Sequence, residues 1–215
     1  MDSVSLAPYP VAARALLRDS LLNAAVARLH ESSWADVTMA DVARGAGVSR
    51  QTLYNEFGSR GEFTQAFVLR EADRFISAVE VALADNAADG AAALSAAFDV
   101  FLAAAAENPL VRAVLAPGSE SELLPLVTTR GQPLIERATE RLSRAIQSRW
   151  TQVHSADAEL LAGCLVRLAI SHVAMPFGPS AIDGPALRRL LGPFVEQLLA
   201  APPAAQGSRA DSQIS

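Results

Sequence analysis

Lysine is absent from this chain of 215 residues, and all 18 of its basic side chains are arginine. With alanine so abundant, that pattern points to a GC-rich coding bias more than to a chemical demand. Cysteine is almost absent as well. Cys164 stands alone, which excludes an intrachain disulfide framework and fits a reducing compartment. Aromatic residues make up only 6% of the chain, and no segment alternates apolar and polar residues long enough to make a strand. No unbroken apolar run approaches the roughly 18 residues of a membrane span, and no basic stretch leads into an apolar signal core. A soluble, cytoplasmic protein is therefore expected. The net charge of −5 argues against a non-specific nucleic-acid coat, which needs a broad basic surface, but not against a specific binder.

Recognisable reaction chemistry is missing too. His30, His154 and His172 lie far apart without a Cys, Asp or Glu at ligand spacing, so no metal site is spelled out. His172, on an apolar stretch, reads as a core or pocket residue. No phosphate-binding glycine loop follows a strand, no G-x-S-x-G elbow occurs, and Cys164, without a basic neighbour, reads as a small apolar group. Neither an enzyme, a cofactor nor a metal is expected.

Apolar residues are plentiful, at 51%, and recur at helical spacing. An all-α fold of about nine helices follows. One stretch, Thr38 to Phe57, has an order that specifies a task. Thr38 can cap a short helix, with Asp41 three residues on, and that helix buries Met39, Val42 and Ala43. Gly45-Ala46-Gly47 can stop it, since a tight turn needs a left-handed residue. Val48 is an apolar plug. Ser49 offers a second cap, for a short helix in which only Leu53 and Phe57 point inward, while Arg50, Gln51, Thr52, Tyr54 and Asn55 stay outside. A helix so polar on one side is poor core material and suits a major groove. A bare helical hairpin is the bland alternative for the pattern by itself.

The order T-L-Y-N-E-F-G-S-R after G-V-S resembles the N-terminal signature of the TetR family of bacterial transcriptional regulators, over about residues 10 to 75. The resemblance implies a helix-turn-helix domain at 10–57 and a helical ligand-binding and dimerisation domain at 58–200, while the tail at 201–215, rich in proline, alanine, glycine and serine, is expected to be disordered. It also implies palindromic operator DNA, a small-molecule effector and a second copy of the chain as partners, with no membrane. Carried over residue by residue, it turns Arg50, Gln51 and Asn55 toward base edges and Thr38, Ser49, Thr52, Tyr54 and Arg60 toward phosphates. Four positions depart from the family pattern. Gln51 stands where a small residue is common, so either its amide reads adenine or the helix docks farther out. Glu56 replaces a frequent histidine and loses a favourable charge, Arg60 replaces lysine and keeps one, and Ser33 replaces a glycine beside Trp34, which reads as core. Q-T-L-Y-N-E-F-G-S-R with the later V-L-R-E-A-D-R-F is further similar to an actinobacterial subgroup associated with alkane and fatty-acid metabolism genes.

Along the rest of the chain, Met1 to Pro10 is expected to be a mobile arm, and Val11 to His30 a helix bracing the motif. Ser59-Arg60-Gly61-Glu62 should open a long helix through about Leu83, which the resemblance makes the lever between domains. Helices are expected over Ala91 to Ala106, from Pro109 to near Pro117, and from Pro133 to about Val153. The last of these carries Arg137, Arg141, Arg144 and Arg149 on a solvated face. Ser119 to Gly131 reads as a short helix or loop. Asp157 to Met175 and Asp183 to Ala200, both unusually apolar, should form the four-helix dimer interface of such proteins. Gly163, Val166, Ile170, Leu187, Leu191, Phe194 and Leu198 are its candidate residues. Candidate pocket walls are Phe98, Phe101, Leu102, Leu115, Leu124, Val127, Leu134, Leu168, His172, Met175 and Phe177.

The expected function is that of a dimeric repressor released by a fatty acid, acyl derivative or alkane-related compound. The competing reading is an all-helical lipid-binding or catalytic protein whose helix-turn-helix is incidental. A purely architectural DNA binder is disfavoured by the acidic charge and by an apolar domain it would not need.

Overall fold

The computed structural model describes residues 9–86, 88–115, 122–175 and 182–200. Within them lie ten α-helices: α1 (Tyr9–Glu31), α2 (Met39–Gly45), α3 (Arg50–Phe57), α4 (Arg60–Asp85), α5 (Gly90–Glu107), α6 (Pro109–Leu115), α7 (Leu123–Val127), α8 (Gln132–Arg149), α9 (Ser155–Ala174) and α10 (Gly184–Ala200). No strand occurs among the described residues, so the all-α expectation holds. The expected tail, 201–215, and the first eight residues of the expected arm lie outside the described residues. Pro10, assigned to that arm, belongs to α1 instead, because the first turn of a helix tolerates a residue without an N–H.

Contacts gather the chain into two compact units, one within Met1–Asp73 and Ala105–Leu134, the other within Arg74–Ala104 and Ile135–Ser215. In the first unit, Leu21, Ala25, Trp34, Val37, Val42, Leu53, Phe63 and Phe67 are buried to 5% exposure or less. Trp34 stacks on Phe67 at 5.1 Å between ring centres, and Phe57 meets Phe63 edge-on at 5.0 Å. Each such ring contributes about 1.5–3 kcal/mol by leaving water. The break between units therefore falls inside α4, whose opening turns pack with α1 to α3. Polar groups also tie this unit together. Glu71, only 2% exposed, accepts from Arg70 at 3.0 Å and from Asn108 at 3.2 Å. Asn108 in turn caps α6 by accepting the Leu110 amide at 2.8 Å, and Arg70 donates to Asn23 of α1 at 2.8 Å.

The second unit packs the end of α4 with α8, α9, α10 and most of α5 around Leu94, Phe98, Leu142, Ile146, Leu161, Val166, Leu187 and Val195. Helix α5 is apolar on average without being an unbroken apolar run. Its 18 residues have a mean hydropathy of 1.4, enough by length and composition to cross a membrane, because many alanines add up although Ser95 and Asp99 interrupt the run. In this fold α5 buries Ala91, Ala93, Leu94, Ala97 and Phe98, and Asp99 accepts the Gly184 N–H at 2.8 Å at the start of α10. Asp183 caps the same helix through Ala186 N at 2.7 Å. Helix α8 stops at Arg149, earlier than expected, and a turn returns Val153 to the core.

Candidate nucleic-acid interface

Local hydrogen bonds build the α2–α3 corner. Thr38 Oγ1 accepts the Asp41 amide at 3.2 Å, and Ser49 Oγ accepts the Thr52 amide at 3.0 Å, so both expected caps form. Between the helices the chain closes a Schellman turn: Val48 N donates to Ala43 O at 3.0 Å and Gly47 N to Arg44 O at 3.1 Å. Gly47 takes the left-handed conformation this turn requires, with φ +70°. Gly45 has a different duty, since a Cβ there would come within 3.1 Å of the Ala24 methyl of α1. Gly58, with φ +81°, ends α3 by donating to Tyr54 O at 2.7 Å. Ser59 Oγ then accepts the Glu62 amide at 3.1 Å and donates to the Glu62 carboxylate at 2.7 Å. The second arm of the capping box therefore ends on the hydroxyl.

On this frame α3 buries Leu53 and Phe57 and leaves Ser49, Arg50, Gln51 and Asn55 exposed, with Thr52 and Tyr54 half-buried. The exposed polar residues pair along the helix at i, i+4. Gln51 Nε2 donates to Asn55 Oδ1 at 2.8 Å, and Arg50 donates to the Tyr54 hydroxyl at 3.2 Å with its guanidinium 5.2 Å from the ring centre. Thr38 is exposed at the start of α2, where its hydroxyl is the main cause holding the Asp41 carboxyl below its ordinary value.

Arg60 lies elsewhere. Its guanidinium donates to Val37 O at 2.6 Å, Trp34 O at 3.3 Å and Glu122 at 3.1 Å, and it sits over the Trp34 ring. Of its five N–H groups, that leaves two to offer a phosphate. Arg44, which sequence reasoning did not single out, shares α2 with Asp41, its partner at 2.9 Å, and its side chain is 70% exposed.

Glu56, a lost favourable charge by the family pattern, is engaged within the protein. Arg14 Nε reaches both carboxylate oxygens, at 3.0 and 2.9 Å, and Arg18 reaches one at 2.8 Å, so two arginines of α1 clamp the last turn of α3. Arg18 also lies 4.4 Å from the Phe57 ring centre. Burial works to raise the Glu56 carboxyl, yet the bonds and charges of Arg18 and Arg14 outweigh it and hold the group below its ordinary value. Nothing in local spacing signals this, since the partners are 42 and 38 residues away.

The candidate pocket residues divide between the units. Leu115, Leu124, Val127 and Leu134 belong to the first, and Phe98, Phe101, Leu102, Leu168, His172 and Met175 to the second. Phe177 lies outside the described residues. In the second unit a chain of rings forms, Phe75 to Phe101 at 5.9 Å, Phe101 to Phe98 at 6.1 Å and Phe98 to His172 at 6.4 Å. Met175 is 65% exposed, away from a walled position. An open cleft of about 390 Å³ between α4 and α8, lined by Leu83, Arg141, Arg144 and Arg149 among others, contains none of the candidates. Arg141 there is held by Glu80 at 2.6 Å, so it is not part of a wholly solvated face.

Dimer candidates fare unevenly as well. Gly163, Val166 and Leu187 are buried within the protomer, and Ile170, Leu191 and Leu198 are half-buried against its core. Of the seven, only Phe194 is exposed, at 39%. The outward apolar residues of α9 and α10 are Leu160, Leu190 and Phe194. Cys164, expected to pack as an apolar group, is exposed on α9.

Comparison with known proteins agrees with this geometry. Residues 21–67 match the bacterial regulatory proteins of the tetR family, and residues 89–193 match the bacterial tetracyclin repressor C-terminal domain. The chain is 43% identical over 192 residues to the HTH-type transcriptional regulator AlkX of Mycobacterium tuberculosis (strain ATCC 25618 / H37Rv), covering 88% of this chain and 90% of that one. It is also similar to the crystal structure of the TetR family repressor AlkX from Dietzia sp. strain DQ12-45-1b, implicated in biodegradation of n-alkanes. That likeness has a TM-score of 0.74 and 34% identity, covering 85% of this chain and 96% of the other.

Proposed function

The chain belongs to the TetR family of bacterial transcriptional regulators, and we propose that it is a dimeric repressor that leaves its operator on binding a hydrophobic small molecule. Proteins of this family are DNA-binding regulators and not enzymes. The observation that carries the reading is α3 itself, capped at both ends, anchored by Leu53 and Phe57, with Arg50, Gln51 and Asn55 facing outward. In this proposal α3 enters the major groove of a palindromic operator in the cytoplasm. Ser49, Thr52, Tyr54 and Thr38 hold phosphates, and Arg60 adds its two remaining N–H groups. Residues 10–57 then serve as the DNA-binding domain, and 58–200 bind effector and partner copy.

For the effector we draw on Phe98, Phe101, Leu102, Leu168 and His172 of the second unit. Apolar walls with few charges favour a fatty acid, an acyl derivative or an alkane-related compound, in keeping with the n-alkane link of the Dietzia relative. A ligand releases DNA only through a difference in affinity between two states. Moving an equilibrium from 1:99 to 99:1 takes about 5.5 kcal/mol. Roughly seven methylenes supply that at ~0.8 kcal/mol each, so short acids should fail.

Two measurements test the reading. A band shift uses DNA flanking the protein's own coding region, and no sequence-specific shift defeats the DNA-binding role. A chain-length series of fatty acids and acyl thioesters is then titrated against the complex. Release that grows with length supports the effector class, whereas no release at any length, or release independent of length, defeats it.

A further inference from the structure

We infer that Gln51 and Asn55 act as one composite reader that selects a single adenine in each half-site. The inference rests on the reading that α3 enters the major groove. Its physical basis is the 2.8 Å bond between the two side-chain amides, both exposed and one helical turn apart. Two amides hold two carbonyl oxygens and two NH2 groups. Their mutual bond engages the Asn55 carbonyl and one hydrogen of the Gln51 NH2, so the two groups left wholly free are the Gln51 carbonyl and the Asn55 NH2. Exchanging which amide donates swaps the owners but leaves the same free pair, one carbonyl and one NH2.

In the major groove only adenine presents the complement on one base, an N6 amino donor beside the N7 acceptor. Guanine offers two acceptors, cytosine a donor alone, thymine an acceptor and a methyl group. On any of these three, one half of the amide pair loses water without gaining a partner, which is the costly case. The pairing also prepares the site, because two side chains that already restrain each other lose less freedom on docking. Arg50 does not compete for the same base. It lies on the neighbouring stripe of α3, drawn onto Tyr54, so its contact falls at a different base step.

This arrangement predicts a coupling that two independent readers would not show. Sites are selected from a random duplex library with the wild-type protein, and each selected position is then varied singly. We expect one position per half-site where replacing adenine weakens binding about 5- to 150-fold. Gln51→Ala and Asn55→Ala should each erase the preference at that same position, and the double variant should lose no more than the worse single one. Loss of preference at two different positions, or a shared position holding another base, overturns the inference.

A second arm leaves the protein intact. Duplexes carry 7-deazaadenine, which lacks the N7 acceptor, or purine, which lacks the N6 amino group, at that position. Each should weaken wild-type binding several-fold, and undiminished binding to both overturns the composite reader even if the variants fold poorly. Failure of the underlying reading looks different, since wild-type protein would then enrich no sequence at all.

Discussion

Helices α3 and α10 each bury one stripe, and what they turn to water differs: polar side chains on α3, and on α10 the large apolar Leu190 and Phe194 among Arg188, Arg189, Glu196 and Gln197. Helix α3 exposes Arg50, Gln51 and Asn55 over a buried Leu53 and Phe57, whereas α10 exposes Leu190 at 67% and Phe194 at 39% over a buried Leu187 and Val195. A polar face is content in water until a ligand offers equal hydrogen bonds. An apolar face is not, and its cover is worth ~25 cal/mol for each Å² removed from solvent. The difference teaches where association comes from in each case. On α3 it comes from matching donors and acceptors, which confers choice among partners. On α10 it comes from area, which confers affinity. In both helices the buried side answers for stability, so substitutions on opposite faces should separate folding from binding.

The largest expected effect tests that separation on α3. Leu53→Ala removes a side chain with no exposure and should destabilise the protein by about 2–5 kcal/mol in chemical denaturation. Asn55→Ala, two residues on, should change stability by less than ~0.5 kcal/mol while altering DNA binding. Comparable stability losses in the two variants would erase the distinction between the faces. On α10 the matching experiment is Leu190→Asp with Phe194→Asp. If these residues cover one another across a twofold axis, each lost burial is worth about 1.5–3 kcal/mol, and sedimentation should show monomers where the wild type is a dimer. A wild-type monomer at micromolar concentration would remove the proposed interface. A dimer unmoved by both changes would relocate it.

These two regions were not equally legible in the sequence. Thr38, Ser49 and the glycine at 47 announce α2, α3 and the turn between them because caps and left-handed turns are settled within four residues of chain. Leu53 and Phe57 follow from spacing within one short helix. In α9 and α10 spacing decides less. Apolar residues lie on nearly every side of α9, and α10 carries Leu190 and Phe194 away from its buried Leu187 and Val195, so an apolar side chain does not by itself mark the inward stripe. Val166 and Leu187 were interface candidates while Leu160 and Leu190 were not, and only the packing of the whole unit shows that the protomer buries the first pair itself and exposes the second. The double arginine clamp on Glu56 was invisible for another reason. It depends on how α1 lies against α3, and a residue read by its position in a family pattern shows a missing histidine but not the partners that replace it. Arg60 escaped in the same way, as its carbonyl partners belong to the connection around Trp34 and Val37.

A smaller effect sharpens the account of α3. Arg50→Ala should cost about 1–3 kcal/mol on the operator and little on random DNA, with the preference relaxed at one base step. An equal loss on both would make Arg50 a phosphate contact and move base reading wholly to its neighbours. Because Arg50 begins bound to Tyr54, Tyr54→Phe should leave the arginine freer. That change should alter specific binding more than stability.

The smallest effect belongs to the clamp that joins α3 to α1, and it is a dependence on pH. Glu56 is held below its ordinary value in the folded protein, because Arg18 and Arg14 outweigh the burial that opposes ionisation. A carboxyl with a depressed folded value adds stability that is complete above its unfolded value and is lost as pH falls through the folded one. Glu56→Gln should therefore cost on the order of 1 kcal/mol near neutrality, since both arginines retain solvent. The gap between wild type and variant should stay flat down to the ordinary carboxylate range and close below it. Measuring both proteins at each pH cancels other groups that titrate alike, Asp41 among them. A gap that persists unchanged into acid, or that widens there, would show that Glu56 steadies α3 by its shape and not by its charge.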